Sequence, residues 1–279
     1  MKKTAFGVLA SVALLVAGAA GVPSAQAAPD LGKRGAAYVS LGDSYVAAGD
    51  NVNGVNVTPG CQQAPDNVGH LVAAQLKVSF ADWSCSGADT DDITKNTEMG
   101  PQVNGLGPAT KYVSLSIGGN DEGIFGDYVA ACIIDARCTD AMRRQTLAKI
   151  DRLGPKLDST YAAVRAAAPN AEVVVMRYLQ IVPRDPSGCF LGVSMGKAGA
   201  AFANRVQDSL NATISASAKK IGFTVVNSNQ KPGRDMCAPD GRRYVSLTGL
   251  GPQDHGTPVH PTIAGRKYSA ALIAAAFQD

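Results

Sequence analysis

Five short apolar runs, at Ala36 to Leu41, Val78 to Trp83, Tyr112 to Ile117, Glu172 to Met176 and Phe223 to Val226, constrain this chain more than any other feature. They are short and rich in β-branched residues, and most lack the polar alternation of a half-exposed strand. They read as strands buried on both faces. Between them lie stretches with helical spacing: Asn67 to Leu76, about Ala141 to Ala168, Met195 to Lys220 and Pro261 to Phe277. Strands alternating with helices predict a parallel sheet covered by helices on both faces. Gly154-Pro155 interrupts the longest helical stretch and predicts a kink or a restart there, because proline removes a backbone donor.

The first residues read as a secretory signal. Lys2 and Lys3 form a charged start, an apolar run extends from Ala5 to about Val22, and Ala25-Gln26-Ala27 supplies a small-residue cleavage pattern. Residues 1–27 are therefore expected to be removed, leaving 28–279 as one exported, extracellular domain large enough for a sizeable core. The net charge of the whole chain is only +3, and the leader's two lysines contribute to it. The basic pairs Arg143-Arg144, Lys219-Lys220 and Arg242-Arg243 are dispersed, so nothing here resembles the clustered charge that nucleic-acid binding needs. A monomer is the default expectation for a small exported protein.

All six cysteines fall after the leader, an even number in an exported chain, and three disulfides are expected. Sequential pairing closes the most local loops: Cys61 with Cys85, Cys132 with Cys138, Cys189 with Cys237. No C-x-x-C pair occurs and only three histidines accompany the cysteines, so no metal is expected.

In an open parallel sheet, sites form beyond the carboxyl ends of the strands. The first strand runs into Gly42-Asp43-Ser44-Tyr45, the second into Ser84 to Gly87, the third into Gly118-Gly119-Asn120-Asp121, and His260-Pro261 stands near the C-terminus. An ester hydrolase needs an activated oxygen nucleophile, a base that later returns its proton, and donors for the developing oxyanion. Ser44 offers the hydroxyl at a strand-to-helix turn. Of the three histidines, His70 falls inside a predicted helix and reads as packing or surface. His255 and His260 share a loop, and Pro261 can start the last helix and leave His260 just before it.

Taken together and in this order, these blocks resemble the SGNH/GDSL hydrolases, with Tyr45 where many members have leucine. The cysteine placement is similar to that of the secreted bacterial lipase and esterase branch with three sequential disulfides. The resemblance spans about residues 36 to 275. It implies a flavodoxin-like three-layer α/β/α sandwich with a mostly parallel five-stranded sheet, and a serine esterase or lipase acting through an acyl-serine intermediate without a cofactor. Its substrate would be a small-molecule or lipid ester, with at most transient contact with lipid interfaces. By the same resemblance Ser44 is the nucleophile, His260 the acid-base residue, and the N–H of Ser44, the N–H of Gly87 and the side-chain amide of Asn120 form the oxyanion hole.

At one position the chain departs from the pattern. The family's usual aspartate three residues before the histidine is replaced by Thr257. Some members of the secreted branch use a main-chain carbonyl to orient the ring, so the carbonyl of Thr257 is the favoured acceptor for Nδ1, with Asp254 as the alternative. Asp43 and Asp121 read as carboxylates that hold turns, and the cluster Asp89, Asp91, Asp92 as solvated. The segments Asn51 to Asn67, Ile124 to Cys138 and Pro183 to Gly196 are expected to frame the cleft, with Phe125, Tyr128, Phe190, Leu191 and Met195 as candidate apolar surface. Two other readings stay open at this stage: a polysaccharide acetyl esterase, and a non-catalytic envelope protein that binds carbohydrate or lipid on the same fold.

Overall fold

A computed structural model of the protein describes residues 32–49, 60–129, 133, 138–228 and 230–278, without the side chains of 190–194. The expected signal segment, the bridge to Cys132 and most of Asn51 to Asn67 lie outside the described residues, as do the side chains of Phe190 and Leu191.

The apolar runs become strands β1 (Tyr38–Gly42), β2 (Phe80–Asp82), β3 (Tyr112–Ser116), β4 (Glu172–Met176) and β5 (Thr224–Val226). They form one parallel sheet in the order β2-β1-β3-β4-β5, with Tyr38 opposite Tyr112 and Val113 opposite Val173. Val39, Leu41, Val113, Leu115 and Val175 are fully buried, as a sheet covered on both sides requires. Each such aliphatic side chain contributes about 1.5–3 kcal/mol by leaving water.

The helices are α1 (Ser44–Ala47), α2 (Val68–Leu76), α3 (Thr90–Thr94), α4 (Ile124–Tyr128), α5 (Asp140–Ala167), α6 (Phe190–Lys220) and α7 (Ile263–Ala276). α5 packs on α6, and α2 on α7. Leu153 and Leu157 of α5 and Ile214 of α6 close over Gly118 at the end of β3. Val68 of α2 and Ser269 and Ile273 of α7 instead share a small cavity with Ser114, Ser116 and Met176. These two helix pairs and the sheet between them make the three-layer sandwich.

Two sequence expectations about helices change. α5 runs through Pro155 without a restart. α7 begins at Ile263 and not at Pro261: the Thr262 hydroxyl accepts the Gly265 N–H as an N-cap. His260 and Pro261 form instead a short strand β7 (His260–Pro261), antiparallel to β6 (Val245–Ser246). The acidic cluster is also not simply solvated. Asp89 and Asp92 make a reciprocal capping box at the start of α3, and Asp92 is buried.

Two of the expected disulfides, Cys61–Cys85 and Cys189–Cys237, are formed, with Cα separations of 4.2 and 5.2 Å. The first braces the loop after β2: the Ser86 N–H donates to the Cys61 carbonyl at 2.8 Å and the Cys85 N–H to the Gly42 carbonyl at 2.9 Å. A bridge of this span stabilises a fold by about 3 kcal/mol through the unfolded chain.

Candidate active site

β1 ends where the backbone must turn sharply over β3. At Gly42, φ is +133° and a Cβ would collide with the Ser116 carbonyl, so only glycine fits. The Gln102 side chain clamps this turn from both sides, accepting the Gly42 N–H at 2.8 Å and donating to its carbonyl at 3.0 Å. Asp43 then caps α1 by accepting the Tyr45 N–H at 2.9 Å. Ser44 is the first helical residue. Its N–H carries no hydrogen bond among the described residues, as expected of a free helix N-terminus.

The loop after β2 brings in Gly87, at φ +90°, a left-handed conformation that favours glycine. Its N–H is likewise without a partner among the described residues. The turn after β3 brings in Asn120, whose Nδ2 donates to the Ala88 carbonyl at 2.9 Å. That bond fixes the amide and leaves its second hydrogen for a ligand.

His260 arrives from the far end of the chain, 216 residues away. Its Nε2 lies 2.7 Å from Ser44 Oγ, and its Nδ1 lies 2.6 Å from the Pro258 carbonyl. A carbonyl only accepts, so Nδ1 carries the proton and the Nε2 lone pair faces the serine hydroxyl. Burial holds the imidazole below its ordinary pKa, and the Pro258 hydrogen bond opposes that shift. The ring is therefore neutral at pH 7, the state a general base needs.

Both expected partners of Nδ1 are corrected. The Thr257 carbonyl is occupied in closing the turn, accepting the His260 backbone N–H at 3.1 Å. Asp254 is buried but turned elsewhere: its carboxylate receives Arg243 Nε at 2.7 and 2.9 Å and the Ser246 hydroxyl at 2.5 Å. The other carboxylates hold turns, as read from the sequence. Asp121 accepts both the N–H and the hydroxyl of Thr90, and burial pushes it up to about 6. Asp43 is pushed up to about 7 by burial, against the hydrogen bonds from Tyr178 and Tyr45. His70 packs its ring edge on Phe80 and bonds Asn67, a structural role.

Ser44, Gly87, Asn120 and His260 open onto one cavity of about 460 Å³. Phe125, Val129 and Ile181 make its apolar wall, and Gln62 lies on its polar side. Of the apolar candidates, Phe125 is placed there, whereas Tyr128 is fully buried in the core and Met195 is buried away from the cavity lining. Ile181 lies just upstream of the expected third segment.

Sequence reasoning passed over several supports. Tyr178 bridges the turns that carry Ser44 and Asn120, Gln102 grips the first of these at Gly42, and Arg266 of α7 is buried with its guanidinium on the carbonyls of Asp66, His255 and Pro261 and on the Asp66 carboxylate. Arg266 was visible as an arginine on an alanine-rich helix six residues after His260. Nothing local marked Gln102 or Tyr178.

The profile of the GDSL-like lipase/acylhydrolase family matches residues 40–268. The chain belongs to this family. It is similar to Lipase 1 of Streptomyces coelicolor, 34% identical over 267 residues covering 93% of each protein. Among solved structures it is similar to phospholipase A1 from Streptomyces albidoflavus, with a TM-score of 0.71 and 32% identity over 86% of this chain and 98% of that one. It is also similar to an extracellular lipase from Streptomyces rimosus, with a TM-score of 0.71 and 28% identity over 85% of this chain and 97% of that one. A carboxylic ester hydrolase on an α/β sheet is thus the class of this protein, and an ester is its substrate.

Proposed function

We propose that the protein is a secreted lipase or esterase that cleaves acyl esters of lipids through an acyl-serine intermediate on Ser44, with His260 as general base and then general acid. The observation that carries this reading is the Ser44 Oγ to His260 Nε2 contact of 2.7 Å beside an apolar-walled cavity. The neutral imidazole takes the serine proton as Oγ attacks the ester carbonyl. Negative charge then develops on the former carbonyl oxygen, where the N–H groups of Ser44 and Gly87 and the amide of Asn120 receive it. His260 returns the proton to the departing alkoxide. Water, activated by the same imidazole, releases the acid. Every step uses side chains and backbone alone, so no cofactor is needed.

The Pro258 carbonyl takes the part an aspartate plays in a triad, orienting the ring and fixing its tautomer. The wall of Phe125, Val129 and Ile181 suits an acyl chain better than a sugar, and the names of the relatives above point the same way. On this reading residues 1–27 are a secretory signal, 28–279 are a single monomeric hydrolase domain, and contact with a lipid interface is transient.

The test is hydrolysis of p-nitrophenyl esters from acetyl to palmitoyl by the disulfide-bonded protein, with Ser44→Ala alongside. Serine-dependent turnover that rises beyond acetyl supports a lipid acyl hydrolase. Turnover confined to acetyl esters would favour the sugar-deacetylating alternative, and turnover unchanged in Ser44→Ala would sink the assignment of the nucleophile.

A further inference from the structure

At position 45 a tyrosine stands in place of the leucine common to the motif. Its hydroxyl donates to the Val259 carbonyl at 2.9 Å, across 214 residues of sequence. Val259 is the residue between Pro258, whose carbonyl holds Nδ1, and His260 itself. Its φ is +60°, a left-handed conformation that β-branched side chains avoid.

We infer that the Tyr45 hydroxyl is a positioning group for His260: by clamping the Val259 carbonyl it holds the strained turn that keeps the Pro258 carbonyl on the imidazole. The inference rests on the proposed roles of Ser44 and His260. The peptide before Val259 carries the Pro258 carbonyl and a Val259 N–H that donates to the Ser246 carbonyl at 2.7 Å. The peptide after it carries the Val259 carbonyl, and Tyr45 is the side chain on that oxygen. The Ser246 bond grips the peptide before the strained residue; the peptide after it is held within its own turn by the His260 N–H on the Thr257 carbonyl, and from outside the turn by the Tyr45 hydroxyl. Releasing the Tyr45 bond lets φ relax toward the ordinary region, which swings one plane against the other and draws the acceptor off Nδ1. Asp254 does not stand in reserve, because it is held by Arg243 and Ser246. In a site oriented by a neutral carbonyl alone, that alignment decides the tautomer.

The ring of Tyr45 is locked independently of its hydroxyl. It stacks on Phe125 with centroids 5.6 Å apart, meets Tyr178 edge-on at 5.0 Å and lies 5.3 Å from the His260 ring. Tyr45→Phe therefore removes the clamp and keeps the packing.

The experiment measures p-nitrophenyl butyrate hydrolysis by the full chain with disulfides intact, with active sites counted by a fluorophosphonate that labels the nucleophile. For Tyr45→Phe, kcat per titrated site should fall about tenfold with KM nearly unchanged, the pattern of a lost transition-state alignment. Adding Val259→Gly, which occupies positive φ without strain, should recover at least a third of that loss on a logarithmic scale. A kcat per site equal to the parent protein, a loss seen only as fewer titratable sites, or no recovery in the double variant would each overturn the inference. Failure of the parent protein to label, or activity that survives Ser44→Ala, would instead refute the underlying catalytic assignment.

Discussion

The Tyr178 hydroxyl donates to the Asp43 carboxylate and accepts the Gly119 N–H at 2.8 Å, so one buried oxygen ties the turn carrying Ser44 to the turn carrying Asn120. Ser44 and Asn120, the proposed nucleophile and oxyanion donor, follow different strands, and their separation depends on this bridge.

Removing it in Tyr178→Phe strands a buried carboxyl oxygen and a buried N–H. Leaving a buried polar group unsatisfied costs about 1–3 kcal/mol, which should appear as a lowered midpoint in urea unfolding. Activity per folded molecule should fall as well, because the Ser44 to Asn120 spacing loosens. Wild-type stability and kcat in this variant would show that the bridge is dispensable.

Asn120→Ala leaves the two backbone donors in place and deletes the third. Loss of one such donor typically lowers kcat about 10²–10³-fold, and KM for a soluble ester should change little, since the amide meets the oxygen best when it is charged. Steady-state kinetics on a short p-nitrophenyl ester read both constants, and a tenfold rise in KM at constant kcat would point to ground-state binding instead.

The pH dependence follows from the burial of His260. The imidazole must be neutral to accept the serine proton, and its pKa is held below 6.5, chiefly by burial. Activity is lost as pH falls through that value, so the acid limb of kcat/KM should have its midpoint below 6.5, with a plateau through neutrality. A pH series from 4 to 8 on a soluble ester measures it. A midpoint near 7 would implicate Asp43, whose carboxyl is pushed up to about that value.

Asp254→Ala separates structure from catalysis. Its carboxylate is buried against Arg243 and reaches no imidazole nitrogen in the hydrogen bonds of His260. Breaking a buried ion pair by removing one partner costs about 3–5 kcal/mol, so thermal stability should drop clearly while kcat per titrated active site stays near the wild-type value. A collapse of kcat in molecules that still label would restore Asp254 to the catalytic apparatus.

Much of this protein was legible in its sequence because two periodic signals are local. Short β-branched runs are buried strands wherever helices alternate with them, and the motif residues follow three of those strands by a few positions. That is why Ser44, Gly87 and Asn120 could be placed at one end of the sheet before any coordinates. The location of His260 was also readable, although for a partly mistaken reason: Pro261 pairs in a two-stranded ladder, and Thr262 caps the helix.

By itself the chain determined the layer order, the residue types of the site and the absence of a carboxylate three positions before the histidine. Tertiary structure alone decided which carbonyl replaces it. Thr257 and Pro258 are adjacent, and the choice between them turns on one backbone angle at Val259. The peptides on either side of Val259 are held by hydrogen bonds to Ser246, Thr257 and Tyr45, the last 214 residues away in sequence. Local propensity argues against a left-handed valine. Only long-range contacts that outweigh that propensity can hold one, and no pattern of neighbouring residues records them.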